Sequence, residues 1–86
     1  MFIATGSNVF IKPTEKNDAK TQIGTVMSVG LNGDSHFDDG DTVVYNTDDV
    51  TEVTIGRDIV HCVVYHKVCG KQGKQKNIDF AGFEVF

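Results

Sequence analysis

Val50-Thr51-Glu52-Val53-Thr54-Ile55-Gly56-Arg57-Asp58-Ile59-Val60-His61-Cys62-Val63-Val64-Tyr65-His66-Lys67-Val68 reads as two strands folded about one glycine. Val53 and Ile55 share one face and Glu52 and Thr54 the other, the period-2 alternation of a half-buried strand. Gly56-Arg57 then suits a tight hairpin with glycine at its first turn position. The same punctuation recurs upstream. Val9-Phe10-Ile11-Lys12 is an apolar run that Pro13 should stop, because its ring lacks a ladder donor and holds Lys12 extended. Thr14 to Gln22 carries no large apolar group before Gln22 and is expected to form a surface loop. Val26, Met27 and Val29 make a second strand between Gly24 and Gly30, and Leu31-Asn32-Gly33-Asp34 holds an Asn-Gly pair suited to positive φ. Asp38-Asp39-Gly40-Asp41 turns the chain into Thr42-Val43-Val44-Tyr45, and Asn46 to Asp49 is a further polar turn. Valine, isoleucine and threonine supply 26 of the 86 residues, against one leucine and three alanines. This is strand composition. An all-β domain is predicted, a small barrel or sandwich with turns every few residues.

A chain of 86 residues has room for one domain. Its net charge of −4 lacks the cationic footprint of a duplex-binding surface, so no nucleic-acid partner is expected. An OB-like single-strand binder would need aromatics beside a basic groove; Phe10 and Tyr45 could stack, but the middle third is acidic. Apolar runs are far shorter than a bilayer span. Met1-Phe2-Ile3 is too short and too poor in bases for a secretory signal. Cys62 and Cys69 are therefore expected as reduced thiols in a cytoplasm.

Candidate chemistry is thin. His61, Cys62, His66 and Cys69 fall within nine residues and include zinc's usual ligand types. On one continuous strand, however, His61 and His66 would face opposite sides, and Cys69 would lie roughly 27 Å from His61 at about 3.3 Å per residue. No metal site is predicted, and strand thiols with surface histidines are the plainer reading. No nucleophile, base and acid stand in a recognisable order, so no enzyme and no cofactor are expected. Acids crowd residues 34 to 58, but Asp39 occupies the glycine position of a calcium loop starting at Asp34, leaving solvated turn acids. Lys67, Lys71, Lys74 and Lys76 form a basic cluster that reads as a solvated spacer or a contact for an anionic partner.

Four motifs in order resemble the GroES-type co-chaperonins. Ser7-Asn8-Val9-Phe10-Ile11-Lys12-Pro13 is similar to that family's opening strand, and Glu15 with Lys20-Thr21 to the acidic stretch and Lys-Thr that follow. Gly24-Thr25-Val26-Met27-Ser28-Val29-Gly30 resembles its Gly-x-Val-x-x-Val-Gly strand. Phe37-Asp38-Asp39-Gly40-Asp41-Thr42-Val43-Val44-Tyr45 resembles its Val-Lys-x-Gly-Asp-x-Val-x-Phe segment. The resemblance covers about residues 7 to 68. It implies a small, partly open GroES-like barrel that forms a homo-oligomeric ring, heptameric in that family, and caps a GroEL-type chaperonin that itself binds and hydrolyses ATP.

The chain departs from the family at its working parts. Most of the mobile loop between the Lys-Thr and the Gly-x-Val strand is missing, leaving Ile23 as the one apolar contact there. The roof hairpin is cut down to Leu31 through His36. Residues 1–69 are thus read as the barrel, 70–77 as a polar flexible spacer, and 78–86 as an apolar tail or closing strand. As a tethered anchor, Ile78, Phe80, Phe83, Val85 and Phe86 would join Ile23 in binding the partner. As a closing strand they would fold onto the core, the commoner fate of five large apolar groups. The family's closing strand could correspond to Val63–Val68 or to Ile78–Phe86, and the first is preferred. The expected function is that of a co-chaperonin in a bacterial cytoplasm, its trimmed form being of the kind a bacteriophage would carry. The alternative is a virion or assembly protein that keeps the barrel without chaperonin binding.

Overall fold

The structure is a computed structural model that describes residues 2–33 and 36–72, and residues 83–85 as backbone. Among these residues, seven strands form one antiparallel sheet: β1 Asn8–Lys16, β2 Thr21–Val29, β3 Thr42–Asn46, β4 Thr51–Ile55, β5 Asp58–Val64, β6 Val68–Gln72 and β7 Phe83–Val85. Their spatial order is β4-β5-β1-β2-β3-β6-β7, so β4 and β7 are the two edges and the sheet does not close. Short 3-10 turns at Leu31–Gly33, Thr47–Asp49 and Tyr65–Lys67 make the corners. The protein is all-β, a small, partly open barrel.

Alternation decides which side is the core. Val9 and Ile11 of β1, Val26 of β2, Val43 and Tyr45 of β3, Val63 of β5 and Val68 of β6 are buried on the concave side, with Phe37 added from the connection before β3. Such a branched side chain contributes roughly 1.5–3 kcal/mol when fully removed from water. Two backbones approach too closely for any side chain. A Cβ on Gly24 would meet the side chain of Ile11 and lie 2.7 Å from the Lys12 carbonyl oxygen. One on Gly30 would run into the Gly6 carbonyl, where the N-terminal segment passes the end of β2.

Several expectations are corrected. β1 does not stop at Pro13 but continues to Lys16, with an irregularity between Pro13 and Glu15. β5 pairs with β1 only as far as Ile11, opposite His61, so beyond it β1 has one neighbour and the missing donor costs no ladder bond. The predicted loop Thr14–Gln22 is instead a hairpin, with Glu15 opposite Ile23 and Lys16 opposite Gln22, because pairing needs backbone and not an apolar side chain. Gly33 sits in a 3-10 turn and, among the described residues, the positive-φ glycines are Gly6, Gly40 and Gly56.

The run Asp58–Val68 is not one strand. It breaks at Tyr65–Lys67, where the Tyr65 amide donates to the Ser7 carbonyl at 2.7 Å, and β6 restarts beside β3. The chain must turn here because β5 and β6 belong to different halves of the sheet. Val63–Val68 is therefore no single closing strand. β6 also extends through Gly70, Lys71 and Gln72, past the boundary placed at residue 69; residues 73–77 of the expected spacer lie outside the described residues.

Candidate docking surfaces

The convex face of the sheet carries its own apolar cluster. Phe10 and Cys62 are register partners on that face, and Val60 lies two residues from Cys62. A bulge in the β1–β2 pairing sets Val26 opposite Ile11 and Ser28 opposite Phe10, so Met27 has no partner and is 45% exposed. The N-terminal segment lies over this face, pinned by the Ala4 amide donating to Ser28 Oγ at 3.0 Å. Between segment and sheet runs a groove of about 280 Å³, floored by Phe10 and Val60 and walled by Phe2, Ile3, Met27 and Ile55. Phe2 is 71% and Ile3 66% exposed. Asp39 and Asp58 are the charged groups lining it among the described residues, and neither carboxylate has a hydrogen bond or ion pair there. Sequence reasoning missed this surface. The legible signal was an apolar pair ahead of the Gly6 turn, together with Phe10 and Met27 at positions that face away from the core.

The predicted contact residues are scattered. Ile23 is half-buried within β2, opposite Val44, and its carbonyl accepts from Thr14 Oγ1 at 3.1 Å. It belongs to the sheet and not to a loop. Phe83 and Val85 lie in β7, whose backbone pairs with β6 in the register Gln72–Phe83, Lys71–Glu84 and Gly70–Val85. This is the arrangement of a closing strand. Ile78, Phe80 and Phe86 lie outside the described residues.

On the concave side, Tyr45 Oη and His61 Nδ1 are 2.8 Å apart, and His61 Nε2 is 3.8 Å from Glu52 Oε2. The carboxylate favours a proton on Nε2, which assigns Nδ1 as acceptor of the Tyr45 hydroxyl proton. Burial pushes the Tyr45 phenol well above its ordinary range and raises the Cys62 thiol as well. At the barrel's other end, His36 stacks on Tyr65 with ring centres 5.3 Å apart, and His66 meets the same ring edge-on at 5.5 Å. These residues and Phe37 line a cleft of about 200 Å³, and Lys71 Nζ donates to the His36 carbonyl at 2.9 Å. Among the described residues, no three histidine, cysteine, aspartate or glutamate side chains gather closely enough to hold a metal ion. The 27 Å separation estimated for His61 and Cys69 assumed a straight strand that the Tyr65–Lys67 turn interrupts.

None of the described helical turns is long and apolar enough to cross a membrane. Compared with known proteins, the chain matches no family model and no curated protein.

Proposed function

We propose that this chain is a co-chaperonin-type subunit, a non-catalytic barrel that assembles with copies of itself into a ring and caps a GroEL-type chaperonin. ATP would be bound and hydrolysed by the partner, in a bacterial cytoplasm, with a bacteriophage gene as the source of the trimmed form. One observation carries the reading: the residues of the family resemblance are the ones this barrel needs. Gly24 within β2 and Gly30 just past its end are points where a Cβ would strike Ile11 and Gly6, and Gly40, at φ 93°, turns Asp38–Asp41 into β3. The Phe83–Val85 pairing supports a tail that serves as a closing strand, with Ile78, Phe80 and Phe86 left as contact residues of the proposal.

A second reading, a structural or assembly protein without chaperonin contacts, is favoured by a different observation. The β1–β2 connection is a four-residue turn, Asn17-Asp18-Ala19-Lys20, held by the Asp18 carboxylate accepting from the Lys20 and Thr21 amides at 2.8 and 2.9 Å. It offers no apolar side chain larger than alanine. Sedimentation velocity of the protein mixed with a bacterial chaperonin and ADP separates the two. Co-sedimentation with the large ring supports the cap; sedimentation apart from it leaves the assembly protein.

A further inference from the structure

We infer that the convex groove between the N-terminal segment and the sheet is a docking site for an extended segment of another protein, with apolar side chains flanked by lysine or arginine. Apolar residues as exposed as Phe2, Ile3 and Met27, lining one groove together, mark a contact surface more than a stray patch. The rim selects the occupant. Asp39, from the turn before β3, and Asp58, at the start of β5, are unpaired among the described residues and reach the groove from different elements. A strand-like segment presents alternate side chains to one side, so two apolar groups can enter while a basic residue beyond them reaches a carboxylate. Charge also argues against a second copy: two such faces would bring four carboxylates together on chains each carrying a net −4. The inference is independent of the co-chaperonin reading, and sedimentation with a chaperonin bears on neither its success nor its failure.

The test uses the whole chain with 13C-methyl methionine. There are two methionines, and Met27 lines the groove. The probes are two synthetic peptides, Lys-Val-Thr-Phe-Thr-Lys and the same peptide with glutamate at both ends. The lysine peptide is expected to move the Met27 methyl signal saturably, and the glutamate peptide to leave it in place. Phe2→Ser, at an exposed position, should weaken binding at least about tenfold through lost apolar contact, and the pair Asp39→Asn and Asp58→Asn about fivefold. No shift with either peptide, or equal shifts with both, overturns the proposal. So does a Met27 signal that depends on protein concentration without peptide, which would assign the groove to a second copy. A signal moved by Ile78→Ser with Phe80→Ser would assign it to the chain's own residues and overturn the proposal equally.

Discussion

Tyr45 Oη and His61 Nδ1 meet at 2.8 Å although their strands, β3 and β5, are separated in the sheet by β2 and β1. Three strand spacings in a flat sheet would hold them about 14 Å apart. The contact exists because the sheet coils, bringing the concave sides of β3 and β5 together over Ile11 and Gly24. Among the described residues it links polar groups across a core that is otherwise apolar, and both of its partners are supplied by strands.

Tyr45→Phe keeps the ring and removes the link. His61 Nδ1 is then left without its partner, which costs about 1–3 kcal/mol when the group is shielded from water. Urea unfolding should show the midpoint falling with the slope unchanged, since the surface exposed on unfolding is the same. A change in slope would instead mean that the barrel itself had opened.

Alkali should act through the same phenol. Burial holds the folded-state pKa of Tyr45 above its unfolded value, so the native protein keeps a proton that the unfolded chain releases. The stabilising contribution is complete below the ordinary tyrosine value of about 10 and is lost as pH rises from there toward the folded value. Ultraviolet difference titration should follow the Tyr45 phenol directly. Tyr45 should ionise only with unfolding, and Tyr45→Phe should flatten the alkaline loss of stability.

Gly24→Ala and Gly40→Ala separate crowding from backbone strain. At Gly24 the new methyl would press on Ile11, stand 2.7 Å from the Lys12 carbonyl oxygen and 3.2 Å from Tyr45 Oη, all in packed surroundings. Overpacking of this kind costs about 1–3 kcal/mol, and backbone on one side limits relief. At Gly40 there is open space but a φ of 93°, which costs alanine about 1 kcal/mol. Thermal unfolding should rank Gly24→Ala as the more damaging. The reverse order would mean that β1 can shift away from β2.

What the sequence made legible follows from how local each signal is. The Val53–Ile55 alternation and the Gly56 turn, where φ is 64°, lie within single elements, and the structure contains both. The Asp38–Asp41 turn was equally plain. Pro13 misled because its effect depends on whether β5 reaches that far along β1, a relation between strands distant in sequence. Tyr65–Lys67 was hidden inside an apolar run, since the need to turn comes from β6 pairing with β3. The convex groove left only separate apolar signals for a similar reason: Phe2, Met27 and Ile55 come from three separate elements, and only the fold sets them side by side.

Ser28→Ala should release one wall of that groove while sparing the barrel. The Ala4 amide loses its acceptor, at 3.0 Å, and Ala4 is among the buried residues. A single hydrogen bond of this type is worth about 0.5–1.5 kcal/mol, here spent on holding the N-terminal segment in place. Amide hydrogen exchange at Ala4 should accelerate about threefold to tenfold, with exchange at Val9 and Ile11 unchanged. Faster exchange at all three would show that the segment supports the whole sheet.

The hairpin that stands where a longer loop was expected depends on Asp18. Its carboxylate accepts from the Lys20 amide first, then from the Thr21 hydroxyl and amide, and these hold its pKa below the ordinary aspartate value. A lowered folded-state pKa contributes stability above the unfolded value, near 3.9, and that contribution is lost as pH falls through the folded value. Carboxyl titration by NMR should place Asp18 below the ordinary aspartate value. The Lys20 and Thr21 amide shifts should follow the same midpoint as Asp18. In Asp18→Ala the two amides should exchange faster at neutral pH and lose their acid transition. If they keep it, another group holds the turn, and the shortness of this hairpin has a different cause.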